Sequence, residues 1–328
     1  MNFAAAASAP KEETALRSVH LDGQVVLKIV KHCKENLPNL VTGQLLGLDI
    51  GSTLEITNCF PYPSARADED AEEDADGFYQ LEMMRCLRDV NVDNNHVGWY
   101  QSTYMGSFQT VELIETFLNY QESIKHCVCI IYDPVRSQQG VLSLKALKLR
   151  DNFMEVYKGS TFTEAALKKA GLSWTDVFQE IPVTITNSPL STAMMAEIQS
   201  ESMSTQADFD RMSLSTNPFM EKNLEFLIEC MDDLAVEQQK MVFYQRNLQR
   251  YGQQQAQWQQ KRRVENATRK ANGDEPLPEE DPSLKAPTEP SKLDSFLITN
   301  QISNYCGQIK DFSSQSLQKL YLMEGLHQ

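Results

Sequence analysis

Met220, Leu227, Leu234, Met241 and Leu248 stand seven positions apart in a stretch that holds no glycine or proline. An α-helix keeps residues at that interval on one side; an extended strand scatters them over both faces. Leu224 and Met231 fill the intermediate seam, and Gln238 and Gln245 take it over further on. The reading is a coiled-coil-like helix with a weakened second half. Asn217 and Pro218 supply its start, one as a side-chain cap and the other as a residue pre-set for the first turn. Ile298, Ile302, Tyr305, Ile309 and Phe312, at alternating steps of four and three, mark a second long helix that Leu320 and Met323 extend. Residues 252–260 are mostly Gln and residues 272–291 are rich in Pro, Glu and Asp, so 252–291 reads as a connection. Two helices joined in this way bury one seam. Their remaining apolar surface calls for cover, either from partner helices or from the N-terminal part of the same chain.

The N-terminal part has a different rhythm. Asp22 can cap a helix whose apolar face is Val25, Val26, Ile29, Val30 and Cys33. Leu40 to Gly47 reads as a buried strand, Gly51 and Ser52 as a hairpin turn, and Leu54, Ile56 and Asn58 as a second strand. Phe78 to Val90 is helical in pattern, with Leu81, Met84 and Leu87 on one face. Strands follow at Val97–Tyr100, Val128–Tyr132 and Val141–Leu149, with a helix through Val111, Ile114, Phe117 and Leu118 between the first two. A short helix spans Thr163 to Gly171, and Glu180 to Ile185 reads as a last strand. The fold class expected is α/β, a mixed sheet flanked by helices over residues 18–190. Residues 1–17 are expected to form a disordered arm, 66–77 a solvated acidic loop, and 191–216 a Ser/Thr/Met-rich linker before the helices of 217–328.

Charge narrows the function. The 328 residues carry a net charge of −15, which argues against phosphate-driven nucleic-acid binding over the whole surface and leaves room for a local basic patch. One such patch is Lys261, Arg262 and Arg263 beside Trp258; it reads either as a solvated helix end or as an RNA contact. No apolar run is long enough to span a membrane, and the start lacks the basic flank of a signal peptide. The seven cysteines include no C-x-x-C pair; they read as buried thiols in a reducing, cytoplasmic compartment, with a zinc knuckle or disulfide framework as the alternative.

The segments Gly43-Gln44-Leu45-Leu46-Gly47, Val97-Gly98-Trp99-Tyr100, Tyr132-Asp133-Pro134 and Glu180-Ile181-Pro182-Val183, in this order, resemble the MPN (JAB/JAMM) family, whose fold is cytidine-deaminase-like. Active members of that family cleave isopeptide bonds with one zinc ion, held by a His-x-His pair and an aspartate and assisted by a glutamate. Zinc lowers the pKa of bound water, and the glutamate moves the proton. The resemblance places Gln101 and Thr103 at the histidine positions, Ile114 at the aspartate position (Leu113 with a one-residue deletion) and Leu40 at the glutamate position. None of these side chains can do the work, so the resemblance implies no enzyme, no metal and no cofactor. His20, His32, His96, His126 and His327 are not spaced to supply a metal pair, and His96 reads as structural or exposed. Ser102 has no partner base and is no nucleophile candidate.

MPN domains without zinc occur in the proteasome lid, the signalosome and translation initiation factor 3. The stretch Gly98 to Phe108, the helix Tyr79 to Arg88 and the run Asn217 to Leu224 are most similar to the MPN subunits of the initiation factor. That resemblance implies a structural role in translation initiation and reinitiation. It implies pairing with a second MPN subunit (subunit f), a helical bundle with PCI-domain subunits, and indirect contact with the small ribosomal subunit and mRNA. The rivals are a subunit of the proteasome lid or signalosome and a deubiquitinase with an atypical site.

Overall fold

The structure, a computed structural model, describes residues 15–63, 74–92, 95–138, 141–159, 162–201, 218–272 and 286–327. It divides into two compact units. One comprises Met1–Met154, Thr175–Thr216 and Ser313–Gln328, the other Glu155–Trp174 and Asn217–Phe312.

The first unit is built on an eight-stranded mixed sheet. Its strands are β1 (Ser18–Asp22), β2 (Thr42–Ile50), β3 (Thr53–Pro61), β4 (His96–Ser102), β5 (Val128–Tyr132), β6 (Leu144–Leu149), β7 (Phe178–Ile181) and β8 (Val183–Thr186), in the order β7-β6-β5-β4-β2-β3-β1-β8. β1 runs parallel to β3 and β8, and β4 runs parallel to β5; the other pairs are antiparallel. Helix α1 (Gly23–Glu35) starts where the Asp22 carboxylate accepts the Gln24 N–H at 3.1 Å. It buries Val25, Val26, Ile29 and Cys33 in one core with Leu45, Leu54, Ile56, Tyr100 and Ile130. Helix α3 (Val111–Ser123), capped by Thr110, lies over the other face. Because side chains alternate along β4, Tyr100 meets His32 of α1 while Trp99 meets Phe117 of α3 at 4.6 Å between ring centres. Helices α2 (Asp74–Asp89), the four-residue α4 (Pro134–Ser137), α5 (Asp151–Lys158) and α7 (Pro189–Glu201) complete the elements that begin in this unit.

Several expectations are corrected here. Leu16 is buried and the Arg17 N–H donates to Ser52 O, so the chain joins the core before residue 18. No sequence pattern announces β1. The acidic loop expected over 66–77 is helical from Asp74 onward, and residues 64–73 lie outside the described residues. Leu81, on the apolar face read for α2, is 71% exposed. The linker expected from 191 is helical through Glu201 as α7, and 202–217 lie outside the described residues. The single last strand is two, β7 and β8, on opposite edges of the sheet with Pro182 alone between them.

The second unit holds α6 (Glu164–Ala170), α8 (Pro218–Asn272) and most of α9 (Leu293–His327). α6 is capped at both ends: Thr163 Oγ1 accepts from Ala166 N, and Gly171 takes the left-handed conformation at φ 64°. Glu164 binds Lys168 at 2.7 Å and Lys292 at 2.8 Å, and the Lys292 N–H donates to Phe162 O, which ties the start of α9 to α6. The glutamine run is no connection, since α8 continues unbroken through it to Asn272. Gln has good helix propensity, and propagating a helix already about 30 residues long is easy. Against α9, α8 presents Phe219, Asn223 and Phe226, with ring pairs Phe219–Phe312 and Phe226–Tyr305. That line is rotated from the seven-residue seam, on which Leu224 and Met231 stay 41% and 56% exposed.

Candidate functional site

The motif that marks the sheet is explained by close packing. A Cβ on Gly43 would land on the Tyr100 ring, and one on Gly98 would meet the carbonyl oxygen of Val128 on the neighbouring strand. Only glycine lets these strands approach.

The structure brings three of the five candidate positions to one end of the β2–β4 ladder. Thr42 pairs with Gln101, the Val41 N–H donates to Ser102 Oγ at 2.7 Å, and the Ser102 N–H returns to Val41 O at 2.8 Å. Leu40 is the next residue and is 57% exposed. Thr103 is buried, with its N–H on Tyr132 O at 2.9 Å and its hydroxyl without a partner among the described residues. Leu113 and Ile114 are buried on the core side of α3 beside Phe117. This end of the sheet therefore offers an aliphatic side chain, a carboxamide and two hydroxyls. Ser102 is held by the backbone, 3% exposed, as a structural clip. Among the described residues no group of three or more His, Cys, Asp or Glu side chains is placed to hold a metal.

Asp133 directly follows Tyr132, Thr103's backbone partner, and is 2% exposed. Its Oδ1 accepts the N–H groups of Val135 and Arg136, both at 3.0 Å, and so caps α4. Burial pushes its pKa up, and those backbone donors pull it part of the way back. His32 Nδ1 meets Tyr100 Oη at 2.8 Å, and His126 Nδ1 meets Asp49 Oδ2 at 2.7 Å. His96 packs on Tyr120 at 5.2 Å, and burial lowers its pKa. Expected before the strand, it is the first residue of β4 and half-buried. Burial pushes the Cys33, Cys59 and Cys127 thiols up to about 12, which keeps them protonated and unreactive.

One polar feature is not legible in the sequence. Gln44, fully buried, donates to Tyr62 Oη, which lies 3.4 Å from Tyr120 Oη; Tyr120 in turn stacks on Trp99 at 4.8 Å. The network spans three elements, and no local spacing announces it.

These features define an MPN-type chain with a long helical extension. Residues 14–126 match the family described as JAB1/Mov34/MPN/PAD-1 ubiquitin protease, and residues 137–328 match the C-terminal region of eIF3h. A protein of Arabidopsis thaliana, named as the eIF3h component of eukaryotic translation initiation factor 3, is 61% identical, over 95% of this chain and 93% of its own length. Proteins of the same name from Nematostella vectensis and Dictyostelium discoideum are 45% and 46% identical, each over 94% of this chain and over 93% and 94% of their own lengths. The chain belongs to the eIF3h family of eukaryotic translation initiation factor 3.

Proposed function

We propose that this chain is a non-catalytic, structural subunit of translation initiation factor 3 in the cytoplasm. The observation that carries the reading is the chemistry at Leu40, Gln101, Thr103, Leu113 and Ile114, where the resemblance calls for acid/base and zinc ligands and the chain supplies neither imidazole nor carboxylate. A single open-site zinc needs three protein ligands, and none of these five is one. The MPN domain pairs with the other MPN subunit, subunit f. The long helices join PCI-domain subunits in a bundle, which is what the half-open seam of α8 is suited to. Through that assembly the chain serves the small ribosomal subunit and mRNA. No helix among the described residues is long and apolar enough to cross a membrane.

Four measurements test this. Purified protein is expected to hold far less than stoichiometric zinc, to leave ubiquitin chains intact, and to recover initiation-factor subunits by affinity capture. Stoichiometric zinc with chain cleavage overturns the reading, as does recovery of proteasome or signalosome subunits. Truncation before Asn217 is expected to leave a folded sheet domain that no longer enters the complex; full assembly of the truncated chain removes the helices from the proposal.

A further inference from the structure

The two halves of α8 carry opposite charge. Residues 218–240 hold six acidic side chains against two lysines, whereas residues 241–272 hold seven lysines and arginines against the single carboxylate of Glu265. A net charge of six positive on 32 residues is unexpected in a chain whose total is −15. The basic half also lies past the start of α9: Asp294, in the first turn of α9, is within electrostatic range of Lys240.

The two faces of this half differ. Tyr244, Tyr251, Trp258 and Arg262 are half-buried, with the Arg262 guanidinium 4.9 Å from the Trp258 ring centre. The opposite face is exposed along its length. Phe243, Arg246, Arg250, Gln253, Gln257 and Lys261 follow one another at three- and four-residue steps, so they form one stripe. At 1.5 Å per residue the stripe is about 27 Å long. Its three cations make no ion pair among the described residues, it carries no carboxylate, and Phe243 is 65% exposed.

We propose that this stripe binds single-stranded RNA through its sugar-phosphate backbone. Charge complementarity selects a polyanion. Cations spaced by helical turns and interleaved with glutamine amides suit a flexible chain of phosphates and hydroxyls, and Phe243 gives a base a surface to stack on. The stripe does not rest on the family assignment, because charge and exposure alone define it. It differs from the patch singled out in the sequence, since of Lys261, Arg262 and Arg263 only Lys261 lies on it.

The test is fluorescence anisotropy of the full-length chain with a labelled, unstructured RNA of about 20 nucleotides at several KCl concentrations. Three neutralised phosphates predict a log–log salt slope of about −2. The triple variant R246Q/R250Q/K261Q is expected to weaken binding at least tenfold and to flatten the slope. A control with equal charge loss elsewhere, K31Q/K34Q/R88Q, is expected to bind as the native chain does. Four outcomes overturn the proposal: no binding at low salt, an unchanged triple variant, an equal loss in the control, or a polyglutamate peptide that displaces the RNA at matched charge. The last assigns the stripe to an acidic protein segment. Circular dichroism of each variant separates lost contacts from lost helix.

Discussion

Tyr100 in the sheet and Tyr305 on α9 are each 1% exposed, but they reach that state in different company. Tyr100 sits in a two-sided core: its hydroxyl meets His32 of α1, its ring fills the space that Gly43 leaves, and α3 covers the strand from the other side. Tyr305 stacks on Phe226, and Phe219 and Asn223 on α8 and Leu297 and Gln308 on α9 are buried in the same unit. On the same helix as Phe226, Ile228 is 59% exposed and Met231 56% exposed. Burying a large apolar side chain contributes about 1.5–3 kcal/mol, so the sheet has collected this from almost every inward position while the helices have left much of it uncollected. An α/β core can be completed by its own chain. A two-helix seam cannot, and its spare stripe is the part of the molecule suited to another chain.

The strongest way to break this contrast is at the sheet. Gly98→Val puts methyl groups against the Val128 carbonyl, where neither strand can yield, and is expected to cost roughly 4 kcal/mol or more, read as lost soluble expression or a collapsed urea midpoint. A native midpoint would mean that β4 and β5 do not pair as described. Next, Phe117→Ala empties a fully buried site and should cost about 3–5 kcal/mol, whereas Phe226→Ala, on the half-covered helix pair, should cost about 1–2 kcal/mol in the isolated chain. Equal losses would erase the difference between the regions.

Acid should separate them as well. Burial lowers the pKa values of His32 and His96 from 6.5, so the unfolded chain takes up these protons first. Their neutral rings support the sheet fully above pH 6.5, and that support drains away as pH falls below it. Glu164 follows the same direction in a lower window: hydrogen bonds from Lys168 and Lys292 hold it near a pKa of about 2 against 4.5. Its anchoring of α9 is present above pH 4.5 and lost as pH falls through 2. Acid titration followed by near-ultraviolet dichroism for the sheet, and by carboxyl NMR for Glu164, should show the sheet weakening first. The smallest effect belongs to Met231→Asp, which should leave stability within about 0.5 kcal/mol of native while lowering co-purification of partner subunits. Unchanged recovery would show that this stripe faces water in the complex.

Local signals in the sequence are reliable where the structure is local. Asp22, Thr163 and Gly171 cap helices as their residue types require, and the heptad correctly announces α8. What stays hidden depends on distant partners. Five residues, Ser18 to Asp22, become a strand because β3 and β8 flank them, 35 and about 165 positions away. The heptad says that α8 is a helix and gives no way to know which of its two stripes α9 covers. At the candidate site the residue identities at Gln101 and Thr103 can be read directly. The clip between Val41 and Ser102 and the Gln44–Tyr62–Tyr120 network need the fold, since their partners are 61, 18 and 58 positions apart.

Pro182 is the one residue between β7 and β8, the two outermost strands of an eight-stranded sheet. Two trans peptides span about 7 Å, whereas the rims of a flat sheet of eight strands would stand more than about 30 Å apart, so the sheet must curl until its rims almost meet. The Val19 N–H on Pro182 O, at 3.0 Å, holds the seam. During synthesis, then, a nascent chain can assemble β2 to β6 early but must wait for one short segment, some 160 residues after β1, before either rim is finished. The domain closes late and at both borders together, and a ribosome that stalls before Phe178 leaves β1 and β6 open to pair with whatever strand arrives first.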